Sequence, residues 1–143
     1  MTAGTEHDRE PDSDLVSIIM PTYNCGAFIA ETIATVQAQT HPRWELIVVD
    51  DCSTDDTTDV VGALAKDDPR IRYVRLETNS GAAMARNRAM ELAQGRYMAF
   101  LDSDDLWHPD KLRRQIDFMT SRDVAMSCTA YAQIDEQGVP TGR

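Results

Sequence analysis

Short apolar runs alternate with segments of helical spacing from Leu15 onward. Val16-Ser17-Ile18-Ile19-Met20 predicts a buried strand, stopped by Pro21. Residues 26–39 predict a helix, because Ile29, Ile33 and Val36 recur at helical spacing. Residues 44–50 read as a second strand. Ser53 to Asp56 fits an S-x-x-D capping pattern and opens a helix to about residue 66. Residues 71–76 have the period-two character of a third strand. Asn79-Ser80-Gly81 then leads into an alanine-rich helix ending near Gly95, followed by a fourth strand over 96–101. Pro109 suits the first turn of a helix reaching about residue 120. A last strand is expected over 124–134, with Glu136-Gln137-Gly138 as its turn.

This alternation predicts a largely parallel α/β sheet with right-handed crossovers, whose ligands bind beyond the carboxyl ends of the strands. Three strand ends carry polar residues there. Asp102-Ser103-Asp104-Asp105 closes the apolar run Tyr97 to Leu101, and Asp50-Asp51 closes the run Glu45 to Val49. Crowded carboxylates raise one another's pKa values unless a cation intervenes, and hard oxygen ligands suit Mg²⁺ or Mn²⁺. Pro21-Thr22-Tyr23-Asn24 is the third end. Tyr23 could stack on a base or simply pack, and Asn24 reads as a turn residue. Ser53 could only cap a helix, and Asp102 to Asp105 could be solvated, with Asp105 capping the next segment. Gly81 lets the backbone approach a ligand at a helix N-terminus that favours anions. Ala82, Ala85, Ala89 and Ala93 form a small-residue face for close packing on the sheet. Arg86, beside that face, could point to a diphosphate or pair with a strand-end aspartate; Arg88 reads as exposed and His108 as a surface residue, not a ligand.

Bulk properties narrow the classes. The 143 residues suffice for one domain with a real core, and the 42% hydrophobic and 27% charged composition is globular. A net charge of −10, from 14 basic and 24 acidic residues, argues against nucleic acid as a partner. An anionic ligand would therefore need a metal ion or local donors. Three widely spaced cysteines, Cys25, Cys52 and Cys128, show no C-x-x-C pattern and fit a reducing compartment. Residues 1–14 are polar and acidic, unlike a signal peptide, and are expected to be a disordered leader. No apolar run reaches the roughly 18 residues of a membrane span.

Val16 to Asn24, Trp44 to Asp55, Asn79-Ser80-Gly81 with Ala85-Arg86-Asn87, and Phe100 to Asp105 with Pro109 to Leu112 together resemble the family 2 glycosyltransferases, inverting enzymes of GT-A fold. The resemblance covers nearly everything from Leu15 to about Ile134. It implies a Rossmann-like, mostly parallel sheet and a nucleotide-sugar donor, usually a UDP-sugar, held with Mn²⁺ or Mg²⁺. Carried over by position, Pro21 and Tyr23 would line the nucleoside pocket and Asp51 would contact the uracil. Arg86 would lie near the nucleotide and Asp102 near the ribose, close to the metal. Asp104, the second aspartate of the D-x-D motif, would reach the metal that neutralises the leaving diphosphate.

The resemblance also implies a carboxylate further along the chain that takes the acceptor's proton, and no residue of this chain is nominated for it. Residues 15–143 are therefore expected to be an incomplete donor-binding domain, truncated at its C-terminus, that binds nucleotide with little or no transfer alone. The implied acceptor is a saccharide or lipid-linked molecule of cell-surface polysaccharide synthesis. The expected location is cytoplasmic, at the inner face of a membrane with which a full-length protein could associate peripherally. A non-catalytic nucleotide-binding module is the alternative. A phosphoacceptor receiver domain is disfavoured because no lysine is suitably placed after a late strand. A dinucleotide dehydrogenase is disfavoured because no G-x-G-x-x-G follows the first strand.

Overall fold

The strands and helices alternate as β1 (Val16–Thr22), α1 (Ile29–Gln37), β2 (Trp44–Asp50), α2 (Thr57–Asp67), β3 (Ile71–Arg75), α3 (Ala82–Leu92), β4 (Tyr97–Phe100) and α4 (Lys111–Arg122). This is a computed structural model, and it describes residues 14–142. Of the leader expected over 1–14, all but Asp14 lies outside the described residues. Asp14 itself pairs with Arg43, Nε to Oδ1 3.0 Å.

All strand pairs are parallel, in the order β3-β2-β1-β4. The chain steps outward from β1 to β3, then returns to place β4 on the other side of β1. That reversal makes the gap between β1 and β4 a topological switch point, where open α/β sheets bind ligands. The mostly parallel, Rossmann-like sheet flanked by helices that is expected from the sequence is therefore observed, with four strands.

β1 and β2 are buried along their whole length because both faces are covered, which is why they read as nearly continuous apolar runs. One face carries Val16, Ile18, Met20, Leu46 and Val48 against Ile29, Ile33 and Val36 of α1, Val61 of α2 and Leu112 of α4. The other carries Ile19, Ile47 and Val49 against Ala85 and Ala89 of α3. Alanine at those two positions lets α3 sit close to the sheet. Of the expected four-alanine face, Ala93, just beyond the end of α3, packs against the same cluster, and Ala82, at its start, is exposed. Met98 and Phe100 of β4 face the α3 side of the sheet, and both are about half exposed.

Several expectations need correction. Pro21 does not stop β1 but pairs with Val49 inside it. Val16 N donates to Arg43 O and Asp51 N to Thr22 O, so even-numbered residues of β1 bond toward β2. Ile19 O accepts from Leu101 N, so odd-numbered residues bond toward β4. Pro21 points to that side, beyond the last β4 partner, where its missing N–H leaves no ladder bond unmade. Helix α1 starts at Ile29, after a turn in which Phe28 N and Ile29 N donate to Cys25 O. Pro109 lies just outside α4, whose N-cap position is Asp110 rather than Asp105. Ser53 does not cap α2. The N-cap position is Asp56, which makes no side-chain cap bond, and Asp55 before it accepts from Thr57 N through Oδ1 at 3.0 Å.

The strand expected over 124–134 is absent. An apolar, β-prone sequence becomes a strand only when a neighbouring strand takes its N–H and C=O groups, and none among the described residues lies alongside this segment. Its backbone forms one isolated bridge, Ile134 with Pro140, and Met126 and Tyr131 are 85% and 88% exposed. The turn at Glu136-Gln137-Gly138 is present, with Gly138 at φ 78° donating to Asp135 O at 2.9 Å. No described helix is long and apolar enough to cross a membrane.

Candidate functional site

Three parallel strands end side by side at the switch point. Thr22 of β1 stands opposite Asp50 of β2, and Ile19 of β1 opposite Phe100 of β4. Leaving β1, Pro21 is buried, Thr22 is buried with no partner for its Oγ1 among the described residues, and Tyr23 is 48% exposed. Asn24 then takes the left-handed conformation at φ 50°, which asparagine tolerates better than most residues. Its Oδ1 accepts from Thr54 N at 2.8 Å, and its own N–H donates to Ser53 Oγ at 2.9 Å. The turn reading of Asn24 holds, and the turn joins the loops after β1 and β2. Gly26 continues that junction. It donates to Asp55 Oδ2 at 3.0 Å, and a Cβ there would meet Asp56 Oδ1 at 1.9 Å.

The two aspartates that end β2 separate in role. Asp50 is fully buried, and its Oδ1 accepts from Ser53 N and Ser53 Oγ at 2.8 and 2.6 Å. Its Oδ2 accepts from Tyr73 OH at 2.6 Å and from Thr58 Oγ1 at 3.3 Å. Burial, then the bond to Asp50, pushes the Tyr73 phenol above its ordinary value. Arg75 closes the group by donating to Thr58 Oγ1 at 2.7 Å. Asp51 points elsewhere: Oδ1 accepts from Ser80 N and Oδ2 from Gly81 N, both at 2.7 Å. Gly81 sits at φ 93°, a conformation that favours glycine. The Ser80 and Gly81 amides just before α3 are thus already engaged by Asp51. Each carboxylate oxygen has a second lone pair, so Asp51, 3% exposed, can still accept one outward donor.

After β4, alternation along the backbone sends Asp102 and Asp104 outward and Ser103 inward, where Ser103 O accepts from Thr32 Oγ1 of α1 at 3.0 Å. Asp105 N donates to Asp102 O at 3.1 Å and tightens the loop. Arg86 Nη2 lies 3.6 Å from Asp102 Oδ1, so the pairing of Arg86 with a strand-end aspartate is realised, between exposed groups. The expected mutual elevation of carboxylate pKa values is found at Asp105, where burial acts first and the charges of Asp104 and Asp102 add to it. Beyond the cluster, Trp107 is buried under Lys111, whose Nζ is 5.0 Å from the ring centroid. His108 is exposed, as expected, and Arg88 pairs with Glu91 at 3.0 Å on the surface.

Among the described residues, no group of three His, Cys, Asp or Glu side chains forms a metal cage. That is compatible with Mg²⁺ or Mn²⁺ at Asp104 and Asp102. Such ions are often held by one or two carboxylates together with a ligand's phosphates. The hard, exposed oxygens of the two aspartates suit that role. Sequence reasoning missed two features: the Ser80 and Gly81 amides on Asp51, and the Asp50–Tyr73 bond. Only the tyrosine left a signal, as a polar-tipped aromatic on the inner face of a period-two strand.

Comparisons with known proteins agree with this fold. The family model described as Glycosyl transferase family 2 matches residues 17–143. Over 126 residues, the chain is 54% identical to TuaG of Bacillus subtilis (strain 168), named for teichuronic acid biosynthesis as a glycosyltransferase; the match covers 88% of the chain and 50% of TuaG. It is 43% identical over 129 residues to the Escherichia coli UDP-Glc:alpha-D-GlcNAc-diphosphoundecaprenol beta-1,3-glucosyltransferase WfaP, covering 90% of the chain and 50% of that protein. Among solved structures, S. aureus TarS 1-349 in complex with UDP matches with a TM-score of 0.72 and 30% identity, over 85% of this chain and 40% of that one. The mannosyltransferase PcManGT of Pyrobaculum calidifontis, in complex with GDP-Man and Mn²⁺, matches with a TM-score of 0.69 and 32% identity, over 73% and 32% of the two chains. The chain spans about half the length of the curated relatives it matches.

Proposed function

The chain belongs to the family 2 glycosyltransferases, with their GT-A fold, and from that premise we propose that it carries the donor-binding part of an inverting transferase. The donor is a nucleotide-sugar of the UDP-sugar class, and the acceptor is a saccharide or lipid-linked molecule in cell-surface polysaccharide synthesis. The names of TuaG and WfaP support the acceptor class, and the UDP complex of TarS supports the donor. The observation that carries the reading is the convergence of Tyr23, Asp51 and the Asp102–Asp104 pair on the switch-point edge.

In this reading Pro21 and Tyr23 flank the nucleoside, the ring of Tyr23 offering an exposed stacking face. Asp51 accepts from the base. Asp102 lies beside the ribose and near the metal, with Arg86 holding its carboxylate. Asp104, assisted by Asp102, would hold Mn²⁺ or Mg²⁺, in keeping with the Mn²⁺ in the PcManGT complex. When bound, the ion offsets the negative charge that develops on the diphosphate as the glycosidic bond breaks. Within the chain itself, the buried Ser103 fixes the loop so that both carboxylates face the donor and not the core. A lipid-linked acceptor, as in the name of WfaP, would bring this work to a membrane, which we take to be its cytoplasmic face, reached by peripheral association.

Calorimetry with UDP, with and without Mn²⁺, tests this on the wild type and on Asp104→Ala. UDP should bind measurably only with the metal, and the variant should lose about tenfold or more in affinity, the scale of one charge-assisted contact. Equal UDP binding without metal and in the variant would remove Asp104 from the metal role. Transfer or donor hydrolysis by the chain would favour the enzyme over a non-catalytic nucleotide-binding module.

A further inference from the structure

Helix α4 concentrates positive charge in a chain that is acidic overall. Lys111 to Arg122 holds four basic residues and one acidic, against 14 and 24 for the whole chain. Leu112 is buried in the core and Ile116 packs against it, which fixes the inner side of the helix. Arg114, Phe118 and Arg122 stand four residues apart and form a row along another side. All three are exposed, and the Arg122 guanidinium lies 5.7 Å from the Phe118 ring centroid. Asp110 faces Arg113 and Arg114 at 3.0 and 3.7 Å, and Asp117 and Asp123 are the other carboxylates of this region. The chain after α4 folds back on it. Gln115 Nε2 donates to Ser127 Oγ at 3.0 Å and Lys111 Nζ to Thr129 Oγ1 at 3.5 Å, while Met126 and Tyr131 stay exposed.

An aromatic ring set between two arginines, beside further exposed apolar groups, asks for two environments at once. The ring and the thioether favour an apolar layer, and the guanidinium groups favour phosphate. The surface of an anionic bilayer supplies both, because long arginine stems let the charge stay at the headgroups while a ring enters the acyl boundary. Repulsion from acidic residues elsewhere falls off within a Debye length, about 10 Å at 0.1 M salt, so a local basic row can outweigh a negative total. We propose that the Arg114–Phe118–Arg122 row, with Met126 and Tyr131, is the surface by which this chain docks on an anionic membrane. This rests on the reading of peripheral association, and the experiment separates the two.

The 143-residue chain is sedimented with vesicles of phosphatidylcholine alone, or of equal parts phosphatidylcholine and phosphatidylglycerol. It should bind only the second kind, and added monovalent salt should release it. Arg122→Glu should weaken binding about tenfold or more, since each basic residue at an anionic surface is worth about fivefold and the reversal adds a repulsion. Arg88→Glu, on α3, makes the same change in net charge and should bind like the wild type. Phe118→Ser should weaken binding with no change in charge, and thermal melts check that each variant is folded. Folded Arg122→Glu and Phe118→Ser proteins that bind like the wild type overturn this surface and leave peripheral association standing. An equal loss in Arg88→Glu and Arg122→Glu also overturns it, since net charge alone would then govern binding. So does a wild type that binds both vesicles equally. A wild type that binds neither overturns membrane docking by this chain altogether.

Discussion

Asp50, Asp51 and Asp68 are all buried, and each survives burial by a different set of donors. Asp50 is satisfied by the side chains of Tyr73, Thr58 and Ser53 and the N–H of Ser53, and Asp51 by two backbone amides. Asp68 has Arg70, whose Nε and Nη2 reach its two oxygens at 3.0 and 2.8 Å, with Gln37 adding a bond at 3.2 Å. The Arg70 guanidinium also stacks on Trp44, 3.8 Å from the ring centroid. That fork–fork bond holds the Asp68 carboxyl down from 3.8 to about 2. A folded-state value below the unfolded one means stability that is present above pH 4 and lost as the pH falls toward 2. Arg70 is 42% exposed, so solvent screening reduces the contribution to about 1 kcal/mol. Urea unfolding of the wild type and Asp68→Asn should show a gap at pH 5 that narrows by pH 2.5. A gap that stays constant across that range would show that the charge of Asp68 contributes nothing.

At the scale of elements, two glycines predict opposite outcomes. Gly95 links α3 to β4, and a Cβ there would stand 2.7 Å from Leu15 O and Ser17 N, which are backbone atoms at the start of β1. Its N–H also donates to Ser17 Oγ at 2.8 Å, part of a group in which Glu45 accepts from Ser17 and from Gln94 N. Gly95→Ala should therefore cost about 1–3 kcal/mol, as overpacking does. Gly62 lies inside α2 with nothing within 4 Å of a Cβ, so Gly62→Ala should stabilise by about 0.5–1 kcal/mol. Thermal melts of both variants give the two signs directly, and a neutral Gly95→Ala would refute the close approach. The difference between these glycines was invisible in the chain, because it depends on which backbone passes overhead. The same limit explains the rest of the comparison. β1 and β2 were legible because burial on both faces writes an apolar run, and the strand-end aspartates were legible because carboxylates interrupt such runs. The amide pair on Asp51 was not, since backbone donors carry no sequence signature. Residues 124–134 misled because strand propensity is satisfied only by a neighbour.

For the whole molecule, the net charge of −10 sets the terms on which a nucleoside diphosphate can approach. The site offers Arg86, but Arg86 already faces Asp102, and Asp104 and Asp105 lie alongside. Approach of an anion without a cation is thus opposed both by the local cluster and by the net charge of these 143 residues. Salt should separate the two regimes. The Debye length is about 10 Å at 0.1 M and about 3 Å at 1 M, so added salt screens whichever interaction dominates. Without divalent metal, UDP affinity should be weak and hold steady or rise as monovalent salt increases, because repulsion is being screened. With Mn²⁺ it should fall over the same range, because the attraction of the ion for both carboxylates and phosphates is being screened. Titrations at low and high salt, with and without Mn²⁺, distinguish these slopes. Metal-free binding that weakens steeply with salt would mean that arginine side chains, and not a metal held by Asp104, neutralise the diphosphate.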